Sequence, residues 1–374
     1  MLFRSETRPL KRLTTDIIDC LVGDFSDVRR EGMYQVNIAD ELSVPFFIRP
    51  DIWRRTLPKV VSYHKVQRCG VEVPGVHPAC HLDDARRRDT GERIDTTGGW
   101  HDAGDLRKWM GATLMNGIGL LRMARNLGDK WDPAGSGMPP LLEEVRWGNR
   151  YFLKMQDRDG LVFGDVGGGL NGDNSDNHWT DNQPGTADDR YLNPAKSGRN
   201  QALFIAFEAM MAQAFQKTDP AYARACLEAA TRCWKAWKRG AAAIDRGWAV
   251  LGDIALWRAT GRDEYAASAT RTGGLLLALQ NTEHIGNQKR VRGFWRASET
   301  DPSPLADAVH PALPALALLE LAEAFPKHRD LPRWRDAVKF HIEEYLLPMA
   351  AHSAYDVIPY GIFTGSPTAD TYRP

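Results

Sequence analysis

The densest concentration of chemically capable side chains is the stretch Thr96-Thr-Gly-Gly-Trp-His-Asp-Ala-Gly-Asp105-Leu-Arg-Lys108. Gly98, Gly99 and Gly104 let the backbone turn sharply and approach a ligand. They place Asp102 and Asp105 beside Trp100 at the mouth of the helix expected to follow. Two carboxylates next to an aromatic platform suit carbohydrate chemistry. An inverting glycosidase uses one carboxylate to activate water and a carboxylic acid about 6.5–9.5 Å away to protonate the leaving oxygen. On residue types alone, the bland reading is the ordinary one: Asp105 caps the helix and Asp102 braces a turn.

A second constellation overlaps the first. Cys69, Cys80, His81 and His101 supply two thiolates and two imidazoles, the ligand set of a closed tetrahedral zinc site. Their spacing is not that of a standard finger, so ordinary thiols with a polar His, or a Cys69–Cys80 disulfide that leaves three free thiols, stay open. The odd cysteine count of 5 excludes a complete disulfide framework. Cys226 and Cys233 lie seven apart on an expected helix, about 10 Å along its axis, and read as core thiols.

Helices must position these groups. The apolar period predicts helices over 57–69, 108–126, 139–156, 196–217, 220–238, 244–259, 262–280, 304–325 and 331–346. Asp219-Pro220 supplies an N-cap and a first-turn proline, and Gly148 suggests a close helix–helix approach. Residues 161–193 read as one long polar loop, of the kind that is functional or mobile in compact domains. Paired helices without a regular repeat suggest a mainly α chain, an α/α toroid. A full ring of six pairs needs twelve helices, so nine suggest a missing C-terminal segment. Before the helices, the alternation Tyr34, Val36, Ile38 reads as a strand and 44–48 as a second extended piece. Residues 1–47 are therefore expected to be the C-terminal part of a β module, and 48–374 the helical domain.

Composition narrows the partner. With 48 Lys and Arg against 48 Asp and Glu, no basic excess steers the chain to nucleic acid. No apolar run approaches the roughly 18 residues of a membrane span. Twelve Trp in 374 residues serve either as core fillers or as platforms for flat ligands. Trp179, Trp248, Trp257 and Trp295 could floor a sugar subsite, although core packing is the ordinary role. His77, His284 and His310 could reach a cleft.

The run Gly-Gly-Trp-His-Asp-Ala-Gly-Asp-x-x-Lys closely resembles the signature of glycoside hydrolase family 9, the β-1,4-glycosidases that include many cellulases. Ser43-Val-Pro-Phe46, Gln67-Arg-Cys-Gly70 and Cys80-His-Leu-Asp-Asp84 resemble its bacterial branch with an N-terminal immunoglobulin-like module. Leu141-Leu-Glu-Glu-Val-Arg-Trp147, Lys154-Met-Gln-Asp157 and Pro359-Tyr-Gly361 follow in the expected order. The resemblance covers about 24–374.

It implies an (α/α)6 barrel and action on a β-glucan or related oligosaccharide with inversion; the chain is separately expected to be a monomer. The resemblance implies Asp105 as general base, Asp102 as the residue holding the water, and a structural zinc on Cys69, Cys80, His81 and His101; Trp100, by residue type, is expected at the substrate. A catalytic zinc is disfavoured, because four protein ligands leave no open position. Family members also bind calcium. The Asp- and Asn-rich loop 171–189 offers hard oxygens but no EF-hand spacing and reads as a solvated acidic loop, and the pair used by some members is Asp245-Arg246 here, which argues against that site. The family's general acid is a Glu in an Asn-Glu motif after a His-x-Arg motif, and neither stands after Gly361. Glu299, Glu320, Glu323, Glu343 and Glu344 are not in that motif. The resemblance thus also allows a non-hydrolytic glycan binder, and the expectation is a chain truncated at both ends. Family habit is export, while Met1-Leu-Phe-Arg-Ser-Glu-Thr-Arg has no apolar signal stretch.

Overall fold

The computed structural model describes residues 5–14, 19–132, 135–168, 178–285, 291–306, 310–351 and 358, and the backbone of 361–366 and 369–373. From residue 52 onward it is dominated by helices: α1 Ile52–Val66, α2 Met110–Leu127, α3 Leu141–Lys154, α4 Gly198–Phe215 and α5 Pro220–Ala236. They continue with α6 Ala243–Thr260, α7 Asp263–Leu279, α8 Leu313–Ala324, α9 Leu331–His341 and, after a π turn at Ile342–Leu346, α10 Leu347–Ala351. None is long and apolar enough to cross a membrane.

The helices form two layers. In the inner one α2, α4, α6 and α8 pack side by side in that order; α3, α5, α7 and α9 each lie against one of them from outside. The burial patterns explain the division. Every residue of α4 from Asn200 to Ala209 is buried, as expected of a helix covered all round. Phe204 and Phe207 on it are fully inaccessible, each worth about 1.5–3 kcal/mol of transfer free energy. By contrast α5 buries one stripe, Ala223, Cys226, Ala229, Ala230 and Cys233. The expected cap of α5 is present: Asp219 Oδ1 accepts from Tyr222 N at 3.1 Å.

Two helix starts differ from expectation. α1 begins five residues before Leu57 and carries Pro58 inside it. α8 begins at Leu313 rather than 304. A helix from 304 would place Pro311 in its interior, where proline removes a hydrogen bond and clashes with the preceding turn. Starting at Leu313 instead places Pro314 in the tolerated first turn.

The N-terminal strands pair as separate ribbons: β1 Leu10–Thr14 with β2 Asp19–Gly23, β3 Gly32–Tyr34 with β6 Phe46–Ile48, and β4 Asn37–Ile38 with β5 Glu41–Leu42. The single strand expected through Tyr34 and Ile38 is therefore broken in two. Ser43 makes the break, donating from its N–H to Val36 O at 2.8 Å and accepting from Val36 N on Oγ at 2.9 Å. Among the described residues, none before Leu57 packs on a hydrophobic core cluster.

One small sheet matters most for the site. β7 Arg86–Arg87, β10 Tyr191–Asn193, β9 Asp165–Val166 and β8 Lys108–Trp109 lie in that order. β10 runs parallel to β7, with Tyr191 opposite Arg86, and antiparallel to β9. β8 runs antiparallel to β9, with Lys108 opposite Val166. The 161–193 segment is thus not one free loop, since both of its ends are strands of this sheet; residues 169–177 lie outside the described residues. At the other end of the chain β11 Gly361–Ser366 and β12 Ala369–Arg373 form a hairpin.

Candidate active site

The Asp loop is anchored from below by charge. Lys108 Nζ, fully inaccessible, donates to Thr96 O at 2.7 Å and Gly98 O at 3.2 Å and pairs with Asp84 Oδ2 at 2.6 Å. Asp84 in turn receives Arg190 Nη2 at 2.6 Å, and Arg190 Nη1 reaches Leu106 O at 2.5 Å, next to Asp105. Burial pushes the Asp84 carboxyl up, but the charges of Arg190 and Lys108 outweigh it and hold it below its ordinary value. Arg190 stands 106 residues from Asp84, so no local pattern announces the pair.

Above this anchor the two candidate carboxylates are half-buried. Asp102 N donates to Arg107 O at 2.8 Å, its carbonyl accepts from Tyr63 Oη at 2.8 Å, and its Oδ1 receives Trp109 N at 3.5 Å. Burial, and then the charge of Asp105, pushes the Asp102 carboxyl up to about 6. The charge of Asp105 thus opposes ionisation of Asp102. Leu106, between Asp105 and Arg107, holds a positive φ of 61°, a conformation a branched side chain adopts only when its surroundings impose it.

Trp100 is not a platform, which corrects the expectation. Its ring is 1% exposed and its Nε1 donates to Glu144 Oε1 at 2.9 Å. Glu144, itself inaccessible, also receives Arg68 Nη2 at 2.5 Å. The indole lies against Gly148, where an added Cβ would stand 2.2 Å from it. The close approach expected at Gly148 is thus to Trp100 and not to another helix. Gly99 is needed for both reasons a glycine can be: its φ is +78°, and a Cβ would meet Tyr151 at 2.7 Å.

Cys69, Cys80, His81 and His101 come together in a buried cluster, with one ligand atom of each within 4.8 Å of the others. Cys69 Sγ is 3.6 Å from His81 Nδ1, Cys80 Sγ 3.9 Å from His101 Nε2, and the two ring nitrogens are 3.3 Å apart. A tetrahedral ion with the usual zinc bond lengths has N–S edges of about 3.5 Å and an N–N edge of about 3.3 Å. The residues present therefore fit a zinc ion. Burial pushes the Cys69 thiol up, yet the hydrogen bond from Cys80 and the charge of Lys108 leave it lowered, while the hydrogen bond with Cys69 and burial raise Cys80. The free nitrogen of His81 faces His178 O at 3.2 Å, an outer contact of the kind that orients metal-binding imidazoles.

Trp179, 51% exposed, stacks on His81 at 5.8 Å and also borders His77 and His101. Trp248 and Trp295 are buried, and Trp257 packs on Phe325 at 4.6 Å. His310 packs on Trp248 at 5.0 Å, and His284 is exposed. Residues 171–177 and the pair 359–360 lie outside the described residues. The five Glu outside an Asn-Glu motif are all ion-paired: Glu299 with Arg246, Glu320 with Arg122 and Arg258, Glu323 with Arg258, Glu343 with Lys339, and Glu344 with Arg292.

The glycosyl hydrolase family 9 model matches residues 53–296, a span that holds both Asp and all four Cys/His positions. The chain belongs to this family. It is 26% identical over 302 residues to Endoglucanase D of Acetivibrio thermocellus, covering 73% of this chain and 44% of that protein. It is 31% identical over 166 residues to a cellodextrinase of Butyrivibrio fibrisolvens, 39% of this chain and 29% of that one. The chain thus spans less than half the length of these curated relatives. Among solved structures, AaCel9A in complex with cellobiose-like isofagomine aligns over 90% of this chain and 64% of its own, with TM-score 0.64 and 21% identity. A zinc-binding triple mutant of the family 9 endoglucanase J30 aligns over the same shares with TM-score 0.62 and 24% identity. This likeness fixes the fold, the (α/α)6 barrel, whose paired layers this chain shows in α2 to α9.

Proposed function

We propose that the chain forms part of a glycoside hydrolase that cleaves β-1,4-linked glucan or a related oligosaccharide with inversion. The observation that supports it most is the pairing of Asp102 and Asp105 on a loop fixed from below by Lys108 and Arg190 and from the side by the Cys/His cluster. In this reading Asp105 takes a proton from the attacking water, and Asp102, whose backbone is held by Arg107 and Tyr63, keeps that water in place. Cys69, Cys80, His81 and His101 would hold a zinc ion as a structural staple, since four protein ligands would leave no open position, and so would keep His101 rigid next to Asp102. Residues 1–47 belong, on this reading, to an immunoglobulin-like module and 48–374 to the catalytic domain.

Replacing the base tests this. In the full-length protein, Asp105→Asn is expected to lower hydrolysis of cello-oligosaccharides by about 10²–10⁴-fold, with circular dichroism and zinc content unchanged. Full turnover by the variant would overturn the assignment. A second reading, glycan binding without turnover, is favoured by the ion pairing of those five Glu. Titration with cellohexaose alongside a reducing-sugar assay separates the two: binding without product supports the second reading, and product release rejects it.

A further inference from the structure

Helices α2 and α6 flank α4 and lean over a common cavity of about 270 Å³, lined among others by Arg122, Met210 and Arg258. Those residues mark the inward face of the ring. Eleven residues, about three full turns of helix, separate Gly111 from Arg122 and Arg199 from Met210, so Gly111 and Arg199 lie on the same inward face. α2 and α4 run parallel, with Gly111 against Asn200 and Gly117 against Phe207. Gly111 and Arg199 therefore stand in the first turns, at the end where the Asp loop enters α2.

Nothing in the fold calls for a cation at Arg199. Its guanidinium lies across α2, where a Cβ on Gly111 would stand 2.7 Å from Nη2. It is half-buried, yet among the described residues it has neither an ion pair nor a hydrogen bond. As the second residue of α4 it opposes the helix dipole, whose positive end favours an acid there. At the far end of the same face Arg122 and Arg258 share Glu320, at 2.7 and 3.1 Å. A half-buried charge without a counter-ion costs stability, and a ligand that brings the anion offsets that cost. Close by, an aromatic side chain is open. Trp109, two residues before Gly111, is 43% exposed, and its N–H meets Asp102 Oδ1 at 3.5 Å. Lys108 is buried on the other side of β8. The Arg107 guanidinium stands 5.5 Å from the indole centroid and braces one face of the ring.

We propose that Arg199 is a specificity-determining residue that receives the carboxylate of an acidic sugar packed on Trp109, so that the β-1,4-linked chain led over Asp102 and Asp105 carries uronic acid units. The open indole suits the flat side of a pyranose ring. A guanidinium only donates: a carboxylate takes two parallel bonds from it and neutralises it, whereas a neutral hydroxyl leaves the charge uncompensated. This inference rests on the hydrolase reading for the path of the glycan and adds the charge of its sugars.

Cellobiouronic acid, which differs from cellobiose by one carboxylate, tests it. Both sugars are titrated into the full-length, zinc-loaded Asp105→Asn protein at low ionic strength, with tryptophan fluorescence and calorimetry as readouts. The acidic sugar is expected to bind about tenfold more tightly than cellobiose, an advantage that shrinks as salt is added. Arg199→Met should bring the ratio of the two affinities close to one. Arg199→Lys, which keeps the charge but loses the planar fork, should leave the ratio in between. Should the Met variant not fold, the Lys variant alone must lower the ratio. No preference in the parent protein, or a ratio that Arg199→Met leaves unchanged, would overturn the proposal. The hydrolase reading is decided by turnover of cello-oligosaccharides and this one by a ratio of affinities, so each can fail alone.

Discussion

Beneath the Asp loop, Asp84, Lys108 and Arg190 are all inaccessible, and both cations reach the carboxylate at 2.6 Å. Between α3, α4 and α5, Glu208 is just as inaccessible but has no cation; Asn149 Nδ2 reaches its Oε2 at 3.2 Å and its Oε1 has no partner. Burial pushes Glu208 up to about 8, against the weaker lowering effects of Cys226 and Asn149. The two regions show what each kind of backbone demands. Helices α3 to α5 satisfy their own peptide groups and tolerate one acid that carries its proton at neutral pH. The loops around Asp105 have little regular hydrogen bonding, so buried side-chain cations must bind their carbonyls, and those cations need Asp84.

The largest effect should come from removing that hub. Asp84→Ala leaves Lys108 and Arg190 buried without an anion and is expected to cost about 3–5 kcal/mol in denaturant unfolding of the zinc-loaded protein. A loss under about 1 kcal/mol, the scale of an exposed ion pair, would mean that the loops are held by something else.

The helical acid should show itself through pH. Its folded value of about 8 exceeds the unfolded reference of 4.5, so the folded state binds the extra proton between them. Stability is then fully present below about pH 4.5 and falls by about 1.4 kcal/mol per unit as pH rises toward 8. Glu208→Gln should remove this slope, read by denaturant unfolding at pH 5, 6.5 and 8; an unchanged slope would place the titration elsewhere.

A smaller cost is expected where the two regions meet. Gly148→Ala drives a methyl into Trp100 and should destabilise by about 1–3 kcal/mol, measured by thermal unfolding. Tyr63→Phe, which deletes only the partly exposed bond to Asp102 O, should cost about 0.5–1 kcal/mol.

The contrast also separates what the sequence makes legible from what it hides. Helices α4 to α7 are readable because period, cap and stop residues agree, as at Asp219-Pro220 and Gly261, whose left-handed φ of 67° ends α6. The Cys/His group is readable from residue type, although its closure depends on chain segments that spacing alone does not bring together. The loop's supports are not readable. Strands of two or three residues carry no period, and Arg190 and Glu144 act on partners 106 and 44 residues away. Trp100 misleads because an indole in a glycine-rich loop looks like a ligand platform. Its burial depends on space left at Gly148, on another element.

The most direct test of the central claim uses a substrate whose leaving group needs little protonation, so that the base alone is examined. With β-cellobiosyl fluoride, ¹H NMR of the first-formed sugar should show α-cellobiose, the inverted product, and Asp105→Asn should lower its release by about 10²–10⁴-fold while zinc stays bound. A β-configured first product, or undiminished release by the Asn variant, would contradict Asp105 as the base of an inverting glycosidase.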